Sequence, residues 1–499
     1  VAKPHVTLGP ALAMLAALGA CRGAERGRVV VALPSAVATL APNTSAEEFT
    51  VFALANVFEP LLADAPGVGL TPRLAASWHT PDELTWVFEL REGILLHDGR
   101  TLTAEHVRRS LSHAKDDRES RRRAMLAAVD RIEARDARTL VLRTRRPFGA
   151  LANRLAGVQV WAEPEVEGGL PVGTGPFRVR SWRPDGDLVL EAFPGYRGGS
   201  PPVPILEFRA VPDARRRVEL LKQGRVHVLV DVSAADMKAF ALLPGVRTAT
   251  REGLRVVFLG LNCRSGPFAD VRLRRAVALA IDRERLVRGP LEGYAQVVDQ
   301  LVAPEVFGAA PALFGRPHDP EGARRLLAEA GRSGGFGATL DYVPGKYRAI
   351  EGVVAAIAAD LRRVGIRVAP KPWAAEEFFG RLESGTSPLY VMGWSALSGD
   401  AALAYEYLVH TPGDGLGQAN GSRYSNPEVD RLLDEVAVTT RTEERRALLN
   451  RVASQVQLDA PVLPLYRQAD LYAVAADLEF APRADRAIDG AALRWRAPR

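Results

Sequence analysis

The sequence predicts an α/β fold with mixed sheets, divided over more than one domain. Three observations carry this. Strand-like and helix-like segments alternate along the chain without a short repeat period. The 499 residues exceed what one core usually organises. Apolar residues make up 47% and charged residues 25%, the balance of an ordinary globular chain that can bury ample core.

The elements follow in order. Arg28–Leu33 is a β-branched run, and the loop Pro34–Pro42 follows it. Ala46–Leu62 has apolar residues at helical spacing. Leu84–Leu90 alternates as a strand, and Arg91-Glu92-Gly93 is expected to turn it into a second strand, Ile94–His97. Asp98-Gly99-Arg100 is a tight turn. Thr103 caps a helix with Glu105 in its first turn, where a carboxylate suits the helix dipole. Thr139–Arg143, Leu188–Ala192 and Ile205–Val211 read as strands.

The second half is more helical. Val271–Ile281 is amphipathic, and Asp282 can cap the next helix. Asp319-Pro320-Glu321 opens a helix that Gly331 ends. Ile350–Val364 stops at Gly365, and a strand follows at Ile366–Ala369. Asn426-Pro427 opens another helix, Glu443–Leu458 is the last long one, and Val462–Tyr466 is a buried strand.

The net charge of +6 raises the question of nucleic acid. The arginines are interleaved with 59 acidic residues, and the clusters Arg121–Arg123, Arg143/Arg145/Arg146 and Arg215–Arg217 read as solvated faces. No nucleic-acid partner is expected.

The two cysteines, Cys21 and Cys263, imply no disulfide framework. Cys263 lies in an apolar run and reads as a small core residue. Cys21 ends a short apolar stretch, Val6–Ala20, preceded by Lys3. That stretch is too short to span a bilayer comfortably and fits a secretory signal. Its ending, Leu18-Gly19-Ala20-Cys21, resembles a bacterial lipobox, in which the cysteine is lipidated and starts the mature protein. Residues 1–21 are therefore expected to be a lipoprotein signal peptide, and Cys21 a membrane anchor.

Catalytic motifs are missing. The eight histidines form no helical zinc motif, and there is no Cys-x-x-Cys. Gly393-Trp394-Ser395-Ala396-Leu397 lacks the closing glycine of a nucleophile elbow. Gly173-Thr174-Gly175-Pro176 lacks the lysine of a phosphate loop. His97-Asp98 sits in a hairpin turn, where Asp and Gly serve the backbone. No cofactor, metal or enzymatic activity is expected.

A set of motifs occurs in a fixed order: Val57-Phe58-Glu59-Pro60-Leu61, Pro72-Arg73-Leu74-Ala75-Ala76-Ser77-Trp78, His97-Asp98-Gly99-Arg100, Gly173-Thr174-Gly175-Pro176-Phe177, Ala278-Leu279-Ala280-Ile281-Asp282-Arg283, Ser425-Asn426-Pro427 and Ala460-Pro461-Val462-Leu463-Pro464. Through these the chain resembles the family 5 extracellular solute-binding proteins, which include dipeptide-, oligopeptide- and nickel-binding components of ABC importers. The resemblance implies a two-lobed clamshell of the periplasmic-binding-protein type (type II), with an extra subdomain in the first lobe. Lobe I would take residues 25–257, including an inserted subdomain at about 55–180. Lobe II would take 258–469, and 470–499 would return to lobe I. The lobes would join near Leu259-Gly260-Leu261 and near Tyr466. The protein would be a monomer outside the cytoplasm, periplasmic or at the cell surface, and would hand its solute to the importer's membrane permease subunits.

The resemblance also suggests ligand residues. A peptide ammonium would need a carboxylate three residues after Gly393-Trp394, but Leu397 stands there and the nearest acid is Asp400. Lys346 and Arg348 could hold a ligand carboxylate, Trp394 and Tyr405 could line the site, and Ser35 would face it from lobe I. His410, after the Gly-Trp loop, could be a ligand to a metal, although a lone histidine is usually structural. A peptide or peptide-like solute is the first expectation. A nickel chelate, haem or oligosaccharide is the alternative, and a secreted lipoprotein hydrolase or a sensor the more distant ones.

If Cys21 is lipidated, the full chain made in a bacterium should take up an alkyne-tagged fatty acid, and Cys21→Ser should abolish the label. Label that persists in the variant would remove the anchor from Cys21.

Overall fold

The computed structural model describes residues 27–497, except 46, 66–68, 163–168, 312, 314, 316, 397, 414 and 415. Cys21 and its signal, and Leu397, lie outside the described residues.

The backbone of the molecule is an eleven-stranded mixed sheet. Its strands are β1 Arg28–Leu33, β2 Phe177–Trp182, β3 Leu188–Ala192, β4 Ile205–Ala210, β5 Val228–Leu229, β6 Val246–Leu261, β7 Ala295–Val297, β8 Phe336–Tyr342, β9 Ile366–Pro372, β10 Leu389–Ser395 and β11 Val462–Ala475. They lie in the order β2-β3-β4-β1-β5-β11-β6-β10-β8-β9, with β7 paired to β11 off this path. β6 has 16 residues and β11 has 14, far beyond the usual five or six or so. The two run antiparallel along each other. β11 is flanked by β5 at Ala473–Val474, and β6 by β10 from Arg255 to Leu261. One half of the sheet thus belongs to each of two lobes, and the β6–β11 ribbon belongs to both.

Each lobe packs apolar clusters on its half of the sheet. Lobe I buries Phe177, Phe208 and Tyr472 in one cluster, and Leu221, Phe240 and Leu471 in another. Lobe II buries Tyr390, Tyr405 and Leu432 in one, and Leu259, Ile357 and Leu389 in another. The ribbon's register slips between Glu252 and Val256. Gly253 sits in that slip, where a Cβ would come within 2.8 Å of Asp470 Oδ2 and 3.0 Å of the Gln468 carbonyl. The joint falls before Leu259-Gly260-Leu261, because Arg255–Leu261 already pairs with β10 of lobe II.

Between β1 and β2 an inserted subdomain carries its own antiparallel sheet. Its strands are Ala75–Asp82, Thr85–Leu90, Thr139–Thr144 and Val129–Ala134 in spatial order. The helix Ala104–Asp116 is held by Thr103 as its cap, and its buried face joins a core with Trp86, Phe88 and Leu140.

One joint mounts this subdomain and accounts for four of the sequence motifs. His97 is buried; its Nδ1 accepts from the Gly173 N–H (3.2 Å) and its Nε2 bonds the Gly175 carbonyl (3.0 Å). This pattern requires the neutral ring with its proton on Nε2. Burial pushes its pKa down to about 4. A Cβ on Gly173 or Gly175 would collide with the carbonyls of Val57 or Asn56. Glu59 is 1% exposed and meets Arg73 at 2.8 Å and Arg197 at 2.6 Å.

Three local expectations change. The helix expected over Ala46–Leu62 spans only Glu48–Leu54 (α1), and the chain is in a short strand by Glu59–Pro60. A residue before proline is pushed out of helical geometry, which favours the early stop. The strand expected at Ile94–His97 is only an isolated bridge, Leu95 to Thr101, because the His97 N–H is drawn to the Gly173 carbonyl (3.0 Å). Arg217 is buried rather than solvated, donating to the Val211 (2.8 Å) and Pro212 (2.9 Å) carbonyls. Among the described residues no helix is long and apolar enough to cross a membrane.

His227 is also held near pKa 4 by burial, and its Nδ1 accepts from the Val30 N–H (2.9 Å). Below about pH 6.5 the unfolded rings take up protons that the native rings refuse. Native stability should therefore fall as pH drops from about 6.5 to 4, by up to about 1.4 kcal/mol per pH unit for each ring. Urea unfolding of the wild type and His97→Gln across that window checks this. The variant's slope should be shallower, and equal slopes would contradict the neutral His97.

Candidate ligand site

Strand direction determines where a site can form. β1, β4 and β5 are parallel to one another, and β8, β9 and β10 are parallel to one another. β5 and β10 each run antiparallel to a ribbon strand, and both end towards the register slip. The carboxyl ends of both sets therefore converge on the joint between the lobes. Open α/β sheets place ligands outside the carboxyl ends of their parallel strands.

The lobe II wall holds a cavity of about 730 Å³. Gly393 and Trp394, near the end of β10, line it together with Lys346, Phe379, Glu383 and Arg423. The Gly393 N–H donates to the Tyr347 hydroxyl (2.7 Å). The Trp394 ring lies 5.5 Å from that of Tyr407. Its indole N–H is buried with no acceptor. The Lys346 ammonium stands 5.4 Å over the Phe379 ring. Arg423 adopts a left-handed backbone (φ 51°) in a loop anchored by Asn420, whose amide donates to the His410 (2.9 Å) and Tyr424 (2.8 Å) carbonyls. Two cations against one carboxylate, beside aromatic faces, suit an anionic solute with an apolar body.

The floor at the joint is a charge network. Glu48 of α1 meets Arg255 at 3.2 Å and Arg486 at 2.7 Å. Arg486 also reaches Asp470 at 3.0 Å and Asp231 at 3.9 Å. Arg255 donates from Nε to the Ser395 hydroxyl (3.3 Å), tying lobe II to the same network. Burial raises the Asp470 pKa to about 6, against the pull of Arg486, Arg255 and Arg348, and its Oδ2 has no hydrogen-bond donor. An unpaired buried oxygen beside a cleft is a place where a ligand donor would be favoured.

The residues singled out from sequence separate into two groups. Trp394 and Lys346 line the cavity. Arg348 joins the floor, donating to the Ala469 carbonyl (2.8 Å). Ser35 donates to Glu47 (2.9 Å), and Glu47 caps α1 through the Phe49 (3.1 Å) and Thr50 (2.6 Å) N–H groups. Asp400 lies elsewhere. It is 2% exposed, caps the helix Ala401–Leu408 through Ala402 N–H (2.8 Å), and gives both oxygens to buried Arg445. Tyr405 is 1% exposed and lines a separate small void of about 60 Å³ inside lobe II. His410 bonds the Thr411 carbonyl (2.7 Å), and among the described residues no three metal-ligating side chains cluster. Sequence reasoning missed Arg423, Phe379, Glu48, Asp470 and Arg486. Their spacing carries no local signal, since the joint alone gathers them.

A profile of bacterial extracellular solute-binding proteins, family 5 Middle, matches residues 69–415. The chain belongs to this family. As a family 5 protein it is the extracytoplasmic solute-binding component of an ABC importer, a carrier and not an enzyme. It is similar to the glutathione-binding protein GsiB of Pectobacterium atrosepticum, 27% identical over 449 residues and covering 87% of each chain. It is also similar to heme-binding protein A of Haemophilus influenzae, 26% identical over 453 residues, covering 84% of this chain and 81% of that one. The fold matches the unliganded open form of the murein tripeptide-binding protein MppA, with TM-score 0.81 at 18% identity, covering 94% of this chain and 98% of that one. It also matches the periplasmic binding protein DppA of Helicobacter pylori in complex with the peptide STSA, with TM-score 0.73 at 21% identity, covering 96% and 100%.

Removing one partner of a buried ion pair costs about 3–5 kcal/mol. Asp400→Asn should therefore lower the unfolding free energy by that order, because it leaves Arg445 buried and uncompensated. Lys346→Ala, an exposed change, should stay within about 0.5 kcal/mol. Urea denaturation of both variants tests the assignment; a stable Asp400→Asn protein would return Asp400 to the list of ligand groups.

Proposed function

We propose that this family 5 protein captures a small peptide-like solute bearing a carboxylate and delivers it to the permease subunits of an ABC importer. The observation that carries this is the pair Lys346 and Arg423 in the lobe II cavity, beside Trp394 and Phe379. A carboxylate held there gains charge-assisted hydrogen bonds, and the aromatic faces take the apolar part. The relatives named for glutathione and heme fit this chemistry, since each of those compounds carries two carboxylates. Because Asp400 is engaged by Arg445, a ligand ammonium is better served by Asp470 at the floor, whose buried Oδ2 has no donor of its own and would have to be uncovered by a shift at the joint. A peptide whose α-ammonium sits apart from its carboxylates would use both ends of the site. We further infer that Cys21 carries a lipid that tethers this body at the outer side of a bacterial membrane. The ending Leu18-Gly19-Ala20-Cys21 supports that reading.

The test is calorimetric titration of the protein after residue 21 with glutathione, a neutral tripeptide amide, hemin and a neutral oligosaccharide. Glutathione or another free-carboxylate peptide should bind, and Lys346→Ala and Arg423→Gln should each weaken it about tenfold or more, the scale of one charge-assisted contact. Binding of the oligosaccharide alone, or equal binding of the amide, would overturn the proposal. Hemin binding without peptide binding would overturn the peptide-like class in favour of haem.

A further inference from the structure

We propose that the groove between the inserted subdomain and lobe II is a second ligand site, one that takes a small aromatic carboxylate. It shares no lining residue with the cavity beside Trp394. Its volume is about 440 Å³, within the usual size of small-molecule pockets.

One wall is aromatic and belongs to the subdomain. Trp78 pairs across the ladder with Phe88, and Trp86 lies two residues before Phe88, so both indoles sit on one face of the subdomain sheet. Both line the groove. Trp86 is 4% exposed, and its indole N–H has no acceptor. A buried indole N–H ordinarily finds a partner, and a ligand oxygen would supply one.

The opposite wall belongs to lobe II and is cationic. The Phe307 ring carries the Arg446 guanidinium at 4.8 Å and that of Arg445 at 5.5 Å. Arg445 is neutralised by Asp400. Arg446 has Glu443 at 3.5 Å, a side chain that is 83% exposed and so a weak competitor in water. Among the described residues no Asp or Glu lines the groove, whereas Arg445, Arg446 and His79 do. A planar apolar body would be covered by the aromatic rings, and an acid group on it would meet Arg446. A cation would be repelled, and a neutral ring would forgo the guanidinium.

The width of the groove is set by the contacts beside it. Arg154, on the helix Leu151–Ala156, meets Glu406 of lobe II at 2.5 Å, with both side chains 9% exposed. The Gly149 N–H donates to the Ala437 carbonyl (2.8 Å), and a Cβ on Gly149 would strike the Thr439 carbonyl. In this lobe arrangement the two walls are docked against each other, and an occupant would touch both lobes at once.

The experiment uses the whole chain labelled with 5-fluorotryptophan, whose seven tryptophans give fluorine resonances. Trp78→Phe and Trp86→Phe assign the two in the groove, and Trp394→Phe assigns the one in the cleft. The probe is indole-3-acetate, with neutral indole as its uncharged counterpart. The Trp78 and Trp86 resonances should shift saturably with indole-3-acetate while that of Trp394 stays in place. Arg446→Gln, an exposed change, should weaken the apparent affinity about tenfold, the effect of losing one charge-assisted contact. Should a tryptophan variant fail to fold, perturbation of the wild-type groove resonances by Arg446→Gln supplies the assignment. Shifts confined to Trp394, no saturable shift, or equal affinity for indole and indole-3-acetate would each overturn the site. The cleft proposal is untouched by these outcomes, since it is read from glutathione and Lys346.

Discussion

The rest of the molecule depends on the pairing of β6 with β11. Two strands of ordinary length would end inside one lobe; at 16 and 14 residues they leave the first lobe and enter the second as one hydrogen-bonded ribbon. Their outer neighbours differ at the two ends, β5 and β10, and this gives each lobe its own half-sheet and its own cores. The register slip at Glu252–Val256 interrupts the ladder where the lobes meet. A ribbon with its hydrogen bonds broken locally, and a glycine at the break, is a place where backbone angles can absorb a change in lobe orientation.

Polar groups concentrate around that slip for a physical reason. The carboxyl ends of both parallel strand sets point there, so the loops that follow them deliver charged side chains to one place. Glu48, Arg255, Asp470 and Arg486 neutralise one another across elements distant in sequence. The network costs desolvation, visible in the raised pKa of Asp470, and it keeps an unpaired oxygen at the floor of the cleft. A site assembled in this way can accept a solute with charges of both signs.

The inserted subdomain contributes through rigidity. His97, the two glycines Gly173 and Gly175, and the Glu59 ion pairs weld it to lobe I, so that its contact with lobe II through Arg154 and Glu406 is a contact between whole bodies. The buried residues of those motifs therefore serve the mounting of the subdomain.

The sequence by itself determined the α/β class, the helix caps at Thr103, Asp282, Asp319 and Asn426, and most strand positions, because propensity, periodicity and capping act within a few residues. Through its motifs it also determined the family, and with it the carrier role. Through the resemblance it singled out Trp394 and Lys346, and both line the lobe II cavity, Trp394 from within β10 and Lys346 from the loop after β8. Only the tertiary structure decided the fate of Asp400 and Tyr405. Asp400 meets an arginine 45 residues away, and Tyr405 turns into a core. Arg423, Asp470 and Arg486 likewise acquire their surroundings from elements far along the chain. Ion pairing and burial at such separations are set by how the lobes and loops pack, and no local pattern of residues encodes them.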